Sequence, residues 1–332
     1  PLFPLWPNLA STCQTPPEGL AGHLVYAGGG SEADLSGKAI TGAIVILDWT
    51  SDLEWLSAPE FGARAVVFRG DDAATCYTAR NKFLTVPANI PRFYVAPGDL
   101  DLLDACLETP DRDATVHCAT AWEPVIARNI IAQISAPSNE QSQAGSPPAA
   151  IVFHAYYDSI SVVPDAAPGA EQACGAAVLL EFCRFLHNQA PADRPIYALF
   201  TSGHGQAFYG MTHFVSELRK TLEADAPDPA SMLTRMGRPG LLVSLDLSSR
   251  SDRYGVFAVG RFRAQAEHKI RPKFSVLGAE LAQYAASFRS EDEKDTNAGA
   301  FVDCINLTRG RHWWTYFPYE APFESELAVV AG

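Results

Sequence analysis

In an α/β sheet, ligands bind in the crevice at the carboxyl ends of the strands, so polar residues just after an apolar β-type run are the first place to look for chemistry. The segment 149–186, AAIVFHAYYDSISVVPDAAPGAEQACGAAVLLEFCRFL, offers such a place. The run 150–156 leads into Asp158 and Ser159, and Glu171 and Gln172 follow after a short loop. Carboxylates gathered there have the chemistry to hold a metal ion or to move a proton. A second place follows the run 195–201, where Ser202 and His204 stand in T-S-G-H-G. Ser202 lacks the G-x-S-x-G setting of a serine nucleophile. Cys174 has no His beside it in sequence, which argues against a cysteine nucleophile. His154 shares a strand face with Tyr156 and Asp158, because strand side chains alternate, and reads as a buried, hydrogen-bonded histidine rather than a ligand.

These residues need a strand, a loop and a helix to hold them. The run 150–156 has the length and composition of a buried strand, Pro164, Pro168 and Gly169 punctuate the loop, and apolar residues recur at helical spacing over 173–186. Further strands are expected over 194–201, 241–247 and 254–259, and helices over 206–222 and 272–288. The segment 122–134 reads as the start of the larger domain, and 135–148 and 291–295 read as polar loops. The fold class is α/β: a mostly parallel, mixed sheet flanked by helices over 122–332. Ahead of it, short β-type runs at 22–26, 43–49, 63–68, 92–95 and 114–120, with helical stretches at 51–61 and 97–108, read as a small α+β module over 19–121. Residues 1–18 are Pro-rich and read as an extended arm or linker. The run Gly28-Gly29-Gly30 lacks the Lys-Ser/Thr ending and the helix of a phosphate loop, and reads as a turn.

The order strand, Y-Y-D-S (156–159), loop, P-G-A-E-Q-A-C-G (168–175), helix resembles the H-x-D-S and P-G-A-D-D-x-x-S-G segments of metallopeptidase family twenty-eight, the two-zinc aminopeptidases. S-G-H-G-Q-A-F-Y-G (202–210) resembles the family's E-E-x-G-x-x-G-S segment, and L-V-S-L-D-L (242–247) resembles its L-x-L-D-M strand. The 19–121 module resembles the protease-associated domain often inserted in these peptidases, which covers or shapes the substrate cleft. Carried over residue by residue, the resemblance puts the first zinc-binding His at Tyr156, the bridging Asp at Gln172, the general-base Glu at His204, the neighbouring ligand Glu at Gly205 and the Asp ligand at Asp246. Asp158 takes the place of the carboxylate that orients the first His. The last His ligand of the pattern is expected beyond residue 332.

An amide and a glycine cannot replace two anionic zinc ligands. The resemblance therefore implies a degenerate zinc site: no standard two-zinc cofactor, and at most one zinc on Asp246 with His204 and Asp158. It favours a peptide- or protein-binding scaffold, like the transferrin-receptor and nicastrin members, with Tyr156, Glu171, Gln172 and Ser202 lining the crevice. Two alternatives are a hydrolase with a changed, single-metal site and a metal-free acyl transferase or cyclase using His204 and Asp158 as an acid-base pair. Without zinc, some positive group must face Asp246, and His204 is expected to supply it.

The whole chain sets limits on partners. Its 332 residues, 47% of them apolar, suffice for one large or two medium domains. A net charge of −13 argues against a nucleic-acid partner, which needs clustered Lys and Arg. The basic cluster 261–271 reads as a solvated face and the aromatic run 311–320 as packing. No apolar run reaches the ~20 residues of a membrane span. Seven cysteines without C-x-x-C spacing argue against a zinc finger or redox dithiol, and leave disulfides open. The chain opens without Met and stops mid-pattern, so a larger parent protein is expected, one that can carry a membrane anchor outside this chain. The resemblance favours an extracytoplasmic location. Asn306-Leu307-Thr308 matches a glycosylation sequon and carries little weight.

Overall fold

The computed structural model describes residues 1–6, 13–71, 81–82, 90–109, 113–136, 148–159, 161–166, 169–189 and 192–247, together with 255–256, 301–302 and 327. The expected helix 272–288, the loop 291–295, most of the strand 254–259, the basic cluster, the aromatic run, the sequon, Cys76 and Cys304 lie outside the described residues. So does most of the loop 135–148. The chain divides into two compact units, Pro1–Val125 with Ile160–Ala167, and Ile126–Ser159 with Pro168–Gly332.

The first unit is a six-stranded sheet. In chain order it contains β1 (Leu2–Pro4), β2 (Leu20–Tyr26), α1 (Glu32–Leu35), β3 (Ile44–Asp48), α2 (Ser57–Glu60), β4 (Ala65–Arg69), β5 (Arg92–Val95), α3 (Leu100–Glu108) and β6 (Asp113–Val116). The strand order is β1-β5-β4-β3-β2-β6. The four inner strands run parallel, and the edge strands β1 and β6 are antiparallel to their neighbours. Parallel strands buried on both faces read as continuous apolar runs, and I-V-I-L-D and A-V-V-F-R are such runs. Alternation sends Val45 and Leu47 to one face, against Trp49, Trp55 and Phe68, and Ile44 and Ile46 to the other, against Val67 and Phe93.

Three expectations need correction here. Residues 2–4, expected in an extended arm, form an edge strand whose backbone pairs with β5. Residues 160–167, expected in the larger domain, belong to the first unit, where Val162 and Val163 are buried in its core and the Val162 carbonyl accepts from Trp6 N–H at 2.6 Å. A helix does follow the triple glycine: Ser31 caps α1, its hydroxyl accepting from the Asp34 N–H while the Asp34 carboxylate accepts from the Ser31 N–H. The turn is still no phosphate loop, since Asp34 turns a carboxylate toward it.

The second unit carries β7 (Ile130–Ser135), β8 (Ile151–Tyr156), α4 (Gly169–His187), β9 (Ile196–Thr201), α5 (Tyr209–Glu223), α6 (Met232–Met236) and β10 (Leu241–Ser244), followed by a short parallel pair, β11 (Gly255–Val256) and β12 (Phe301–Val302). Its sheet order is β10-β8-β9-β7. The strands β10, β8 and β9 are parallel and β7 runs antiparallel to β9, giving the mixed sheet expected. Every residue of β9 is buried. Val152, Tyr197 and Leu199 pack with Met211, Phe214 and Leu218 of α5 on one side, while Ala155, Leu179, Ala198 and Phe200 form the layer under α4 on the other. Burying each large aliphatic side chain stabilises by roughly 1.5–3 kcal/mol.

Candidate functional site

The carboxyl ends of β8, β9 and β10 bring the candidate residues together. The register pairs Ser244 with His154. Two residues further on, the same alignment sets Asp246 beside Tyr156, and the Tyr156 hydroxyl donates to Asp246 Oδ1 at 2.9 Å. The Leu245 N–H donates to the His154 carbonyl at 2.7 Å and carries the ladder past the end of β10. Asp246 is exposed and Tyr156 half-buried.

From β9 the chain enters a tight loop, 202–208. Asp158, two residues past β8, holds that loop: its Oδ2 accepts from the Gly203 N–H at 2.9 Å and from the His204 N–H at 3.1 Å. Gly203 has φ +74°, a region glycine enters without strain, whereas Ala207 and Phe208 at +55° and +58° are ordinary residues held there. Left-handed backbone costs a non-glycine residue roughly 1–2 kcal/mol, so the surroundings must over-determine the loop. They do so with N–H groups of Phe208 and Tyr209 bonded to the carbonyls of His204 and Gly203, and with Gly210 N–H on the Ser202 carbonyl at 2.9 Å.

The loop lays the His204 ring on the Tyr156 ring, centroids 3.9 Å apart and planes 24° from parallel. Phe208 adds a tilted ring 5.1 Å from His204. The result is an aromatic stack closed at one end by an exposed carboxylate. Such a surface can bind a polar or amine-bearing ligand through the carboxylate and the ring faces.

Tyr156, Asp158, His204 and Asp246 thus meet in one place, but with partners other than those expected. The Tyr156 phenol donates to Asp246, the carboxylate that His204 was expected to face. Asp158 is met by backbone N–H groups, which makes it a fastening for the loop. Ser202, expected to line the crevice, is 7% exposed and its Oγ points to the Arg128 carbonyl at 3.4 Å. Ser159 is exposed. The backbones of Glu171 and Gln172 lie in the first turn of α4; their side chains are outside the described residues. His154 is fully buried with both ring nitrogens engaged, Nδ1 with Ser244 Oγ at 2.7 Å and Nε2 with Thr201 Oγ1 at 2.8 Å. It joins three strands, as the reading of a satisfied core histidine expects. Phe208 was missed, since nothing in the sequence marks a non-glycine residue for left-handed backbone. Among the described residues no three His, Cys, Asp or Glu side chains gather in a way that could hold a metal ion.

Comparison with known proteins gives one family. Peptidase family M28 matches residues 129–297, half of the chain. None of the curated proteins compared matches. Among solved structures, an aminopeptidase from Aneurinibacillus sp. strain AM-1 is 21% identical with a TM-score of 0.35, the match covering 64% of this chain and 51% of that one. BSAP, a zinc aminopeptidase from Bacillus subtilis, is 15% identical with a TM-score of 0.46, covering 94% of this chain and 67% of that one. A peptidase M28 precursor from Shewanella amazonensis SB2B is 13% identical with a TM-score of 0.47, covering 99% and 77%. The chain spans about half the length of the first of these.

Proposed function

The chain belongs to peptidase family M28, and from that premise we propose that it is a peptide- or protein-binding domain on the peptidase fold, with a degenerate zinc site and little or no peptidase activity. The observation that carries this reading is the hydrogen bond from Tyr156 to Asp246 beneath the stacked His204 ring. Two zinc ions need several nitrogen and anionic oxygen ligands and a bridging carboxylate. At the positions the resembled pattern uses, the described residues are a phenol, an imidazole stacked on that phenol, a glycine without a side chain, and one carboxylate. That donor set does not fit a two-zinc centre. The carboxylate already accepts a hydrogen bond, which supplies part of the compensation that a metal would otherwise give. What remains is a recognition surface. Asp246 faces solvent beside three ring faces, which suits the amine or the cationic side chain of a peptide. Binding of a peptide or protein ligand, without nucleic acid, is the partner class we propose.

The test is hydrolysis of aminoacyl and dipeptide substrates by the purified chain, before and after loading with zinc. No turnover above buffer is expected in either condition. Turnover that rises with added zinc and disappears in Asp246→Asn would overturn the proposal.

A further inference from the structure

In the first unit, the segment that begins at Cys13 runs alongside the segment that follows β6. The Thr15 N–H donates to the Cys118 carbonyl at 2.9 Å, and the Cys118 N–H donates back to Thr15 Oγ1 at 2.9 Å. Thr120 Oγ1 donates to the Cys13 carbonyl at 2.9 Å, and Gln14 Nε2 reaches the Thr120 carbonyl. These bonds hold Cys13 against Cys118. The Cys118 thiol lies 3.0 Å from the Cys13 carbonyl, and the Cys13 thiol lies 3.2 Å from the Arg92 carbonyl. Cross-bonded backbones, with one thiol on the other residue's carbonyl, bring the two cysteines side by side, which is the first requirement of a disulfide. Both are free thiols in this structure.

We propose that Cys13 and Cys118 are a disulfide-forming pair that fastens the N-terminal segment to the end of the first unit. The bridge would close a loop between residues 105 apart in sequence, and longer loops lose more unfolded-state entropy when closed.

The chemistry is thiol-disulfide exchange with a small-molecule disulfide such as oxidised glutathione, which is the oxidant. Cys118 is the half-buried and accessible member, and Cys13 is buried at 6% exposure. The Cys118 thiolate attacks the small disulfide, forming a mixed disulfide and expelling one thiolate, which takes up the proton that Cys118 gave to solvent. Cys13 then loses its proton and attacks Cys118 Sγ, expelling the second half as a thiol. The protein pair loses two electrons and two protons, and the small disulfide gains them as two thiols. Burial pushes the Cys13 thiol up to about 12, which fits a resolving cysteine that acts only on a neighbour already bonded to a leaving group.

The parent chain itself serves for the test. Reduced protein is equilibrated with oxidised glutathione, denatured, alkylated and cut with trypsin. Cleavage after Lys and Arg places Cys13 in peptide 1–38 and Cys118 in peptide 113–128, each with no other cysteine, while Cys106 falls in a separate peptide. The expected product is peptide 1–38 joined to peptide 113–128, 2 Da lighter than the sum of the two reduced peptides. The oxidised chain should also unfold at a midpoint several degrees higher than the reduced one, with the difference abolished by dithiothreitol. Alkylation of both cysteines, glutathione left on either, or pairing of either with another cysteine would overturn the pair. A linked product with an unchanged unfolding midpoint would overturn its role as a fastening.

Discussion

Asp158 and Tyr156 both make hydrogen bonds at the site, but the two bonds differ in what their loss leaves behind. Asp158 accepts from two backbone N–H groups, so Asp158→Ala strands two donors and frees a loop that holds Ala207 and Phe208 at positive φ. Both acceptors are carboxylates, and a lost bond to a charged group costs about 1.5–3 kcal/mol where the stranded partners are shielded from water, as at the part-buried Asp158 loop. The cost is less at the exposed Tyr156–Asp246 bond, where water takes the place of the lost partner. Urea unfolding should therefore show Asp158→Ala destabilised by about 2–3 kcal/mol and Tyr156→Phe by about 1 kcal/mol or less. Equal losses would mean that Asp158 does not fasten the loop. In the first unit, Lys82 is fully buried, its ammonium 2.9 Å from Ser51 Oγ and over the Phe68 ring at 4.6 Å. Desolvation pushes it down to about 8 from 10.5. Below pH 8 folded and unfolded states both carry the proton, and the cost of burying the charge stands in full. Between pH 8 and 10.5 the folded state sheds the proton first, and this site's contribution to stability rises with pH. Replacing Lys82 with Met should then stabilise at pH 7 by up to about 3 kcal/mol and by much less at pH 10. Burial raises Cys13 from 9.0 to about 12 and so lowers stability above pH 9, in parent and variant alike, which cancels in their difference. A Lys82→Met effect on the urea midpoint that does not change with pH would show that the charge is not what the substitution removes.

At the scale of elements, α4 sits close to the chain leaving β10. A Cβ on Gly175 would lie 2.4 Å from the Leu245 carbonyl oxygen. Helix propensity favours Ala over Gly by about 1 kcal/mol, but a side chain driven into backbone typically costs 1–3 kcal/mol, so Gly175→Ala should destabilise. It should also displace Leu245 and its neighbour Asp246, and so weaken any ligand held by that carboxylate. A variant as stable as the parent would show that the helix can shift at no cost. This contact gives the glycine of P-G-A-E-Q-A-C-G a physical reason. The strands and helices around it were legible in the sequence because buried parallel strands are uniformly apolar: I-Y-A-L-F-T and I-V-F-H-A-Y needed no tertiary information. The edge strand β1 was not legible. L-F-P carries a proline, its pattern is three residues long, and only the partner strand β5 makes it a strand. At the site, the residue types and the strand ends were readable, but the partners were not. That Tyr156 would reach Asp246 follows from the parallel register of β8 and β10, which is a property of the fold.

For the whole molecule, membership of an M28 peptidase family and an acidic chain with a net charge of −13 frame what the crevice can do. Among the described residues no helix is long and apolar enough to cross a membrane. The proposal turns on whether the family's chemistry has its metals here. Counting ligands at the described positions leaves one carboxylate bonded to a phenol, one imidazole in a ring stack and one glycine. Such a set should bind zinc weakly and in less than stoichiometric amount. The decisive measurement is the zinc content of the purified chain after saturation with zinc and exhaustive dialysis. Less than one zinc per chain, lost on dialysis against a mild chelator, is the result expected. Two zinc ions per chain that survive dialysis would contradict the account, and would require ligands beyond Asp246 and His204.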